Sequence, residues 1–283
     1  MVVLRGFDQP PLPCISMIRL TLQFITLVAA FFLTWFGLIR LDWVRYFHIE
    51  QAGERIEEKL GSLYWDVISK LEKENKDSRW IDPLDSLLIR ICDANGLKRD
   101  DIKLHLVEKD EVNAFALPDH HLVLYTGLIE DCENAEELCG VIAHEIAHME
   151  KGHIMRKLIR EVGLSVLISM TTGNGQPEVI QQAIKILSSS AYDRNLEREA
   201  DLSGVDYLIQ AEINPEPFAT FLFRLSSLEA ALPDQVFWIS SHPGSEERAK
   251  DILNYIHERE FQIKPAMDSI QWNEWKAAFH DGI

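Results

Sequence analysis

The chain is poor in cysteine and in basic side chains. Its four cysteines, at positions 14, 92, 132 and 139, form no CxxC pair. They indicate no disulfide framework and leave the redox compartment open. Lys and Arg together number 28 against 45 Asp and Glu, which gives a formal net charge of −17. Such an acidic chain is poorly suited to neutralise phosphates, and we expect no nucleic-acid partner.

Charged residues are also absent from one long stretch, residues 20–39, which has the sequence LTLQFITLVAAFFLTWFGLI. A helix rises about 1.5 Å per residue, so these residues match a bilayer core of about 30 Å. Arg19 and Arg40 bracket the stretch. We therefore expect a single-pass transmembrane anchor at residues 20–40, in contact with membrane lipid. A cleaved signal peptide is the alternative, but the stretch is too long and no small-residue cleavage motif follows it.

The anchor divides the chain into four predicted parts. Residues 1–19 form a tail with three prolines, and residues 41–80 form an amphipathic helical stalk or linker. The same helix could instead lie as a layer over the folded domain at residues 81–283. Basic residues slightly favour the amino-terminal side of the anchor, which predicts that the domain is on the extracytoplasmic side.

Hydrophobic periodicity and turn residues predict an α+β domain, mostly helical with a small sheet. A short helix is expected from an N-cap at Asp82 to a stop at Asn95-Gly96. Alternating apolar residues predict strands in IKLHLVE, VNAFALP and HLVLYTGLI. Asn134 and Glu137 form a capping box for the next helix. Further helices are expected at 178–189 and 194–210, and an apolar core helix at 162–172.

The stretch HEIAH places His144 and His148 one helical turn apart on the same face. Two imidazoles can reach one zinc ion there, at about 2.0–2.1 Å each. Glu145 is displaced by about 100° around the helix and can face a water at an open metal position. Zinc lowers the pKa of such a water to about 7, and a carboxylate can take its proton as the water attacks a carbonyl. The three residues fit amide hydrolysis, although a pattern this short also arises by chance.

A third ligand is needed outside HEIAH. The metzincin spacing requires a glycine and a histidine where this chain has Lys151 and Ile154. His153 is one residue short of that histidine, and we expect it to be structural. The metzincin class is therefore excluded.

Glu197 in LEREADLSG is the better candidate. It shares one helix face with Ala200, Asp201 and Gly204, and the small residues would let this helix approach the first one closely. Asp201 could then accept a hydrogen bond from the second nitrogen of a ligand histidine. Glu199 points away and is expected to be a solvated charge.

Several motifs together resemble the zinc metallopeptidase family of HtpX, BepA and the CAAX prenyl proteases, which are of the gluzincin type. They are NAFALP with a following YTGL, HEIAHMEKGH, RNLEREAD and SSHPGSEER, spread over roughly residues 84–255. The resemblance implies zinc binding by His144, His148 and Glu197. It also implies that Glu145 is the general base and that Asp201 supports a ligand.

The same resemblance extends to three further residues. His242-Pro243 matches a histidine that lies near the metal in relatives, where it could stabilise the oxyanion or block the water position as an extra ligand. Arg248, six residues on, belongs to the same motif and is expected in a supporting or substrate contact. Asn113 matches a position near the substrate, on a strand that could pair with an extended peptide.

The resemblance implies a zincin-like metallopeptidase domain with one Zn²⁺ ion. We expect a membrane-anchored metalloendopeptidase that cleaves unfolded or membrane-associated polypeptides in protein quality control. Relatives with several membrane spans differ from this chain, so prenylated substrates are not expected. The alternative is a catalytically silent or self-inhibited zinc protein that acts as a membrane-tethered chaperone or assembly factor.

Overall fold

The structure, a computed structural model, describes residues 15–40, 49–174, 177–189, 192–229, 238, 241–257 and 259–282. Its contacts divide the chain into two units, residues 1–53 and 54–283. The first unit contains helix α1 (Ile15–Arg40) and the start of helix α2 (Ile49–Leu71). Most of the predicted tail and the residues just after the anchor lie outside the described residues.

The predicted membrane anchor is not supported. Over the part of the chain that the structure describes, no helix combines the length and the apolar character of a membrane span.

The second unit contains one small sheet. Its strands are β1 (Glu74–Asn75), β2 (Lys103–Val107), β3 (Ala114–Leu117) and β4 (His121–Tyr125), in the order β1-β2-β4-β3. Strand β4 pairs in parallel with β2 and antiparallel with β3. Strand β3 is therefore an edge strand of the described sheet, and it is the strand predicted in VNAFALP.

Helices make up most of the second unit, as predicted. In chain order after α2 they are α3 (Ser78–Asn95), α4 (Thr126–Asp131), α5 (Ala135–Glu150), α6 (His153–Glu161), α7 (Leu164–Ser169), α8 (Pro177–Ser189), α9 (Arg194–Gln210), α10 (Glu216–Glu229), α11 (Ser245–His257) and α12 (Ser269–Gly282). A 3₁₀ turn covers Arg99–Asp101, and a π-helical segment covers Met170–Asn174.

Helix α5 is the central element of the core. It contacts β3, α3, α9 and α10, and every residue of 137–149 is buried. Its start was predicted correctly, because the side chain of Asn134 accepts a hydrogen bond from Glu137 N at 2.9 Å. Residues 54–71 of α2 belong to the second unit and contribute the buried Leu60, Tyr64 and Ile68 to its core.

Two helix predictions need correction. Helix α3 begins at Ser78 with Asp77 as its N-cap, and Pro83 lies inside it, so the predicted N-cap at Asp82 was wrong. Pro83 has no N–H to donate to the carbonyl of Arg79 four residues earlier, and that carbonyl accepts instead from Nε1 of Trp275 at 3.2 Å. The core helix predicted for 162–172 is the short α7 followed by the π-helical segment, and Leu164 and Ile168 on it are exposed.

Candidate metal centre

Helix α5 brings three polar side chains into the core. His144 and His148 lie one turn apart on this helix, and Glu145 directly follows His144. All three are at most 1 % exposed. Polar side chains buried this deeply need partners to offset their lost hydration. Each of the three has them, in the contacts described below.

Helix α9 supplies the acidic partners. Glu197 and Asp201 lie one turn apart on it and are buried. Gly204 allows the close approach to α5, since a Cβ atom there would lie only 3.1 Å from the backbone N of His144. The structure thus brings Glu197 and Asp201 to the HEIAH helix, as the small-residue face predicts.

Four buried side chains converge at one point. Ligand atoms of His144, His148, Glu197 and His242 all lie within 4.8 Å of one another and could hold a metal ion. Nε2 of His144 is 3.0 Å from Nε2 of His148 and 3.1 Å from Nδ1 of His242. Oε1 of Glu197 is 3.2 Å from Nε2 of His148 and 3.1 Å from Nδ1 of His242.

The tautomer of His144 can be assigned from its other ring nitrogen. Nδ1 of His144 donates to Oδ1 of Asp201 at 2.9 Å. Nε2 of His144, which faces the cluster, therefore carries a lone pair. Nε2 of His242 lies 3.3 Å from Oε1 of Glu145, and its Nδ1 is hydrogen-bonded with both carboxylate oxygens of Glu197 at 3.1 Å.

His148 is connected to Glu199 through His153. Its Nδ1 is 3.1 Å from Nδ1 of His153, whose Nε2 lies 3.3 Å from Oε2 of Glu199. If His153 donates to the carboxylate, its Nδ1 accepts the proton of His148, and Nε2 of His148 presents a lone pair. Sequence reasoning had made His153 structural and Glu199 a solvated charge, so it missed this support.

These donors fit one zinc ion. The Nε2 atoms of His144 and His148 are 3.0 Å apart, and lone pairs that face each other at this distance repel unless a cation lies between them. A tetrahedral zinc site with bonds of about 2.0–2.1 Å has ligand atoms about 3.3 Å apart. Contacts between five of the six pairs of these residues measure 3.0 to 3.6 Å. Imidazole and carboxylate are both ordinary zinc ligands.

Burial also sets the charges of the donors. It lowers the pKa of His148 well below its ordinary value and lowers the pKa of His242 as well, which favours neutral rings. Burial raises the pKa of Glu197, but the neighbouring His242 and Arg248 outweigh burial and hold that pKa well below its usual range. Neutral histidines and an ionised carboxylate are the forms that bind metal.

Arg248 contacts two acidic residues of helix α9, Glu197 and Asp201. Its guanidinium donates to both oxygens of Asp201 at 2.7 Å, and its Nη1 lies 2.8 Å from Glu197 Oε2. Nη1 also donates to the backbone carbonyl of His242 at 2.9 Å. Arg248 therefore contacts both the α9 acids and the segment that carries His242.

Glu145 lies beside the cluster, with two hydrogen-bond donors. The backbone N–H of Ala116, on edge strand β3, donates to its Oε2 at 3.1 Å. Nε1 of Trp238 donates to its Oε1 at 3.2 Å, next to the contact from His242. A buried carboxylate held in this way can act as a proton acceptor at a fixed place.

Aromatic rings hold His242 on both faces. The Trp238 ring stacks on it with centroids 4.7 Å apart, and the Tyr192 ring stacks on it at 5.4 Å. Sequence reasoning missed both aromatics. The only sequence signal for them was that Trp238 lies close to His242 in FWISSHP and that Tyr192 lies close to Glu197 in SAYDRNLE. Neither aromatic residue is at a helical spacing from the metal motif.

Asn113 lies directly before β3 and is not among the four converging side chains. It is 2 % exposed, and its Oδ1 has no hydrogen-bond partner among the described residues. Its backbone carbonyl accepts from Tyr125 N on β4.

The chain is similar to several curated peptidases. It is 25% identical over 191 residues to the mitochondrial metalloendopeptidase OMA1 of Schizosaccharomyces pombe, an alignment that covers 67% of this chain and 56% of that protein. It is 26% identical over 187 residues to the beta-barrel assembly-enhancing protease of Yersinia pestis, covering 62% and 37%. For the mitochondrial metalloendopeptidase OMA1 of Bos taurus the identity is 25% over 258 residues, covering 78% and 48%. The chain thus spans about half or less of the length of these relatives.

A protein-family profile matches the part of the chain that contains the candidate metal centre. Residues 81–256 fit the sequence profile of Peptidase family M48. This range contains the four converging donors, the adjacent Glu145 and the supporting Asp201 and Arg248. With its buried zinc-type donor set inside that range, the chain belongs to peptidase family M48.

Proposed function

We propose that this protein is a zinc-dependent metalloendopeptidase. The observation that carries the proposal is the convergence of four buried donors beside a separate buried carboxylate, Glu145. Peptidase activity is also what the names of the relatives describe. A purely structural zinc site would have no use for a separate buried carboxylate held in place by two hydrogen-bond donors.

His144, His148 and Glu197 would hold the zinc ion. A bound zinc ion acidifies a water and polarises a carbonyl oxygen. Glu145 takes the proton of the attacking water, and the Ala116 N–H keeps its carboxylate oriented. Asp201 keeps the Nδ1 proton on His144, which fixes the direction of the Nε2 lone pair.

We propose that the substrate is an extended polypeptide bound at strand β3. In an antiparallel pair, successive residues turn their backbone groups to opposite sides. Asn113 O faces β4, so the backbone groups of Ala114 and Ala116 face the edge away from β4, where Ala116 N donates to Glu145. An extended chain can add to such an edge through main-chain hydrogen bonds and so lie beside Glu145.

The test is a Glu145→Gln variant with Glu150→Gln on the same helix as its control. Glu145→Gln should still bind one zinc ion per chain, because Glu145 is not one of the converging donors. Cleavage of unfolded casein should fall by about 10²–10⁴-fold, since the proton acceptor is lost. Glu150 is exposed, and its replacement should change neither quantity. Casein cleavage by Glu145→Gln at the wild-type rate would show that the mechanism is wrong.

A self-inhibited peptidase is a second candidate, favoured by one observation. His242 Nδ1 lies 3.1 Å from His144 Nε2 and from both carboxylate oxygens of Glu197, which completes a four-donor set. Structural zinc sites are closed in this way, whereas catalytic sites keep a position open. Faster casein cleavage by His242→Ala supports self-inhibition. A zinc-loaded protein that binds unfolded chains but cleaves none, with or without His242, supports a chaperone or assembly factor instead.

We further propose that the protein acts in quality control beside a membrane. The support is the uncharged stretch at residues 20–39, which is long enough to cross a bilayer. The test is extraction of isolated membranes at alkaline pH. Retention in the lipid pellet supports an integral anchor, and full release contradicts it.

A further inference from the structure

The four converging donors are buried in the protein. Each of them is at most 1 % exposed, so a metal ion cannot reach them directly from water. A buried metal centre needs an entry path, which the fold either leaves open or opens at intervals. The proposed substrate strand, β3, contacts Glu145, which is not one of these donors. The entry path of the metal ion is therefore a separate question from substrate binding.

A cavity of about 250 Å³ lies between the N-terminal halves of α9 and α11, and we name it the α9–α11 cavity. Its lining includes the buried Glu197 and Arg248 and, nearer the surface, Arg194, Arg198, Glu247 and Asp251. At about 30 Å³ per water, the cavity can hold a metal ion with a shell of several waters. Glu197 is also one of the four converging donors, and its Oε1 lies 3.2 Å from Nε2 of His148. Its carboxylate therefore connects the cavity with the metal centre.

Two ion pairs cross the mouth of this cavity. Nε of Arg198 donates to Oδ2 of Asp251 at 3.1 Å, and Nη1 of Arg194 lies 3.5 Å from Oε2 of Glu247. Each pair joins α9 to α11. Ion pairs between exposed side chains contribute little to stability. These two pairs can therefore open without disturbing the fold.

The charges around the cavity balance while the pairs are closed, because its lining carries three arginines and three carboxylates. Arg248, at the inner end, contacts Glu197 and both oxygens of Asp201 within the protein. The outer pairs differ from it, since each of their arginines can move into solvent and leave a carboxylate at the mouth. A cleft lined by negative charge concentrates cations and speeds their arrival. Opening the outer pairs thus turns a neutral mouth into one that attracts a divalent cation.

We propose that zinc reaches its centre through the α9–α11 cavity and that the two ion pairs are the gate of this route. The inference rests on the zinc centre of the proposed function, but it concerns the loading of the metal and not hydrolysis. When Arg194 and Arg198 move away from their partners, Glu247 and Asp251 attract the hydrated ion into the cavity. Glu197 is then the first of the four donors to bind it, because it is the one that lines the cavity.

The first test compares the two sides of one ion pair. In Arg198→Gln the mouth keeps a free carboxylate, so the second-order rate constant of Zn²⁺ uptake by the metal-free protein should rise by about tenfold at low salt. In Asp251→Asn an unpaired arginine remains, and the rate constant should fall by a similar factor. Both differences should shrink in about 1 M salt, which screens exposed charges. Stopped-flow mixing with a zinc-sensitive dye as competitor measures the rate.

The matched control is Arg259→Gln. Arg259 forms an ion pair with Asp206 in the second half of α9, and neither residue lines the cavity. This variant removes the same charge as Arg198→Gln, and its uptake rate should equal that of wild type. Wild-type rates in both Arg198→Gln and Asp251→Asn overturn the route. An equal rise in Arg259→Gln also overturns it, because the effect would then come from net charge alone.

A second test blocks the mouth. Arg198→Cys alkylated with a bulky maleimide should take up and release zinc several-fold more slowly than the same variant before alkylation. The other described cysteines are buried, so the reagent should not reach them. The equilibrium affinity should stay the same, because a gate slows both directions alike. Alkylated Arg259→Cys should load zinc as its unalkylated form does.

Unchanged uptake after alkylation of Arg198→Cys, or a loss of affinity with unchanged uptake, overturns the route. Both tests measure zinc uptake without a substrate. A protein that loads zinc by this route but cleaves no casein contradicts the proposed function and supports the route. A protein that binds no zinc contradicts both.

Discussion

At the scale of single residues, His148 shows how a candidate metal ligand depends on side chains that are not among the four converging donors. Its Nδ1 contacts Nδ1 of His153, which in turn contacts Glu199. With His153 donating to Glu199, this chain of hydrogen bonds keeps the proton on Nδ1 of His148, and Nε2 of His148 faces Glu197 and His144. His153 is fully buried, so no solvent molecule is available to take over its role.

The contribution of His153 can be measured by His153→Phe, which keeps a buried ring but cannot accept the proton of His148. Zinc affinity should fall by about 10–100-fold, as is typical for loss of a group that orients a ligand histidine. Competition with a chelating dye measures the affinity. His120→Phe, at a partly exposed histidine, is the control and should bind zinc normally. Wild-type affinity in His153→Phe would mean that another group orients His148.

Residue positions in the site were predictable where helical periodicity governs them. The shared faces of His144 with His148, and of Glu197 with Asp201, follow from spacings of four residues. Their meeting required the close approach at Gly204, which the small side chain indicates. Trp238 and Tyr192 were not predictable in this way, because their contacts with His242 depend on how separate segments pack.

At the scale of elements, α2 covers the sheet through a stack of rings. Trp65 on α2 stacks on His105 with centroids 3.5 Å apart, and Nε2 of His105 lies 2.9 Å from Nδ1 of His121. Glu74 on β1 contacts the other nitrogen of His105 at 2.8 Å. Nε2 of His121 is buried without a hydrogen-bond partner among the described residues. A proton added to His121 therefore has no acceptor there.

This arrangement predicts that acid weakens the second unit. Burial, with smaller effects from His105 and Lys103, lowers the pKa of His121 to about 4. An unfolded histidine takes up its proton near pH 6.5, so between pH 6.5 and 4 the unfolded state binds more protons. The free energy of unfolding should therefore fall as pH drops through this window, by up to about 3 kcal/mol from this group.

Urea unfolding at pH 7 and pH 4.5 measures this effect. His121→Gln should lose less stability between the two pH values than wild type, because it removes the histidine that must stay neutral. The adjacent His120→Gln should behave as wild type does. Identical losses in His121→Gln and wild type would contradict the assignment.

Element boundaries were predictable where caps and periodicity agree. Helix α9 occupies Arg194–Gln210, the range that periodicity predicts, and Asn134 caps α5. The start of α3 was misplaced because Asp77 forms the cap while Pro83 fits within the helix. The stretch at 162–172 is apolar in sequence but half exposed, since packing and not composition decides which side is covered.

At the scale of the whole molecule, a zinc ion would join elements that are far apart in the chain. The donors come from α5, from α9 and from the segment before α11. Binding to the folded state alone raises the free energy of unfolding by about 2.7 kcal/mol at a zinc concentration of 100 times Kd. For a chain of this size that corresponds to about 5–10 °C in Tm.

Removal of zinc should therefore lower Tm by about 5–10 °C, and re-addition should restore it. Differential scanning fluorimetry with a chelator checks this. A His144→Ala/His148→Ala variant should show no response to either treatment, because two donors are missing. A wild-type Tm that does not depend on zinc would show that the donors bind no metal in the folded protein.

The distance along the chain between the donors has a consequence for biosynthesis. His144 and His242 meet at one point although 98 residues separate them. While the chain is still emerging from a ribosome, the later of the two has not yet been made, so the centre cannot assemble. A nascent copy therefore cannot complete the four-donor set before the chain has been made past His242.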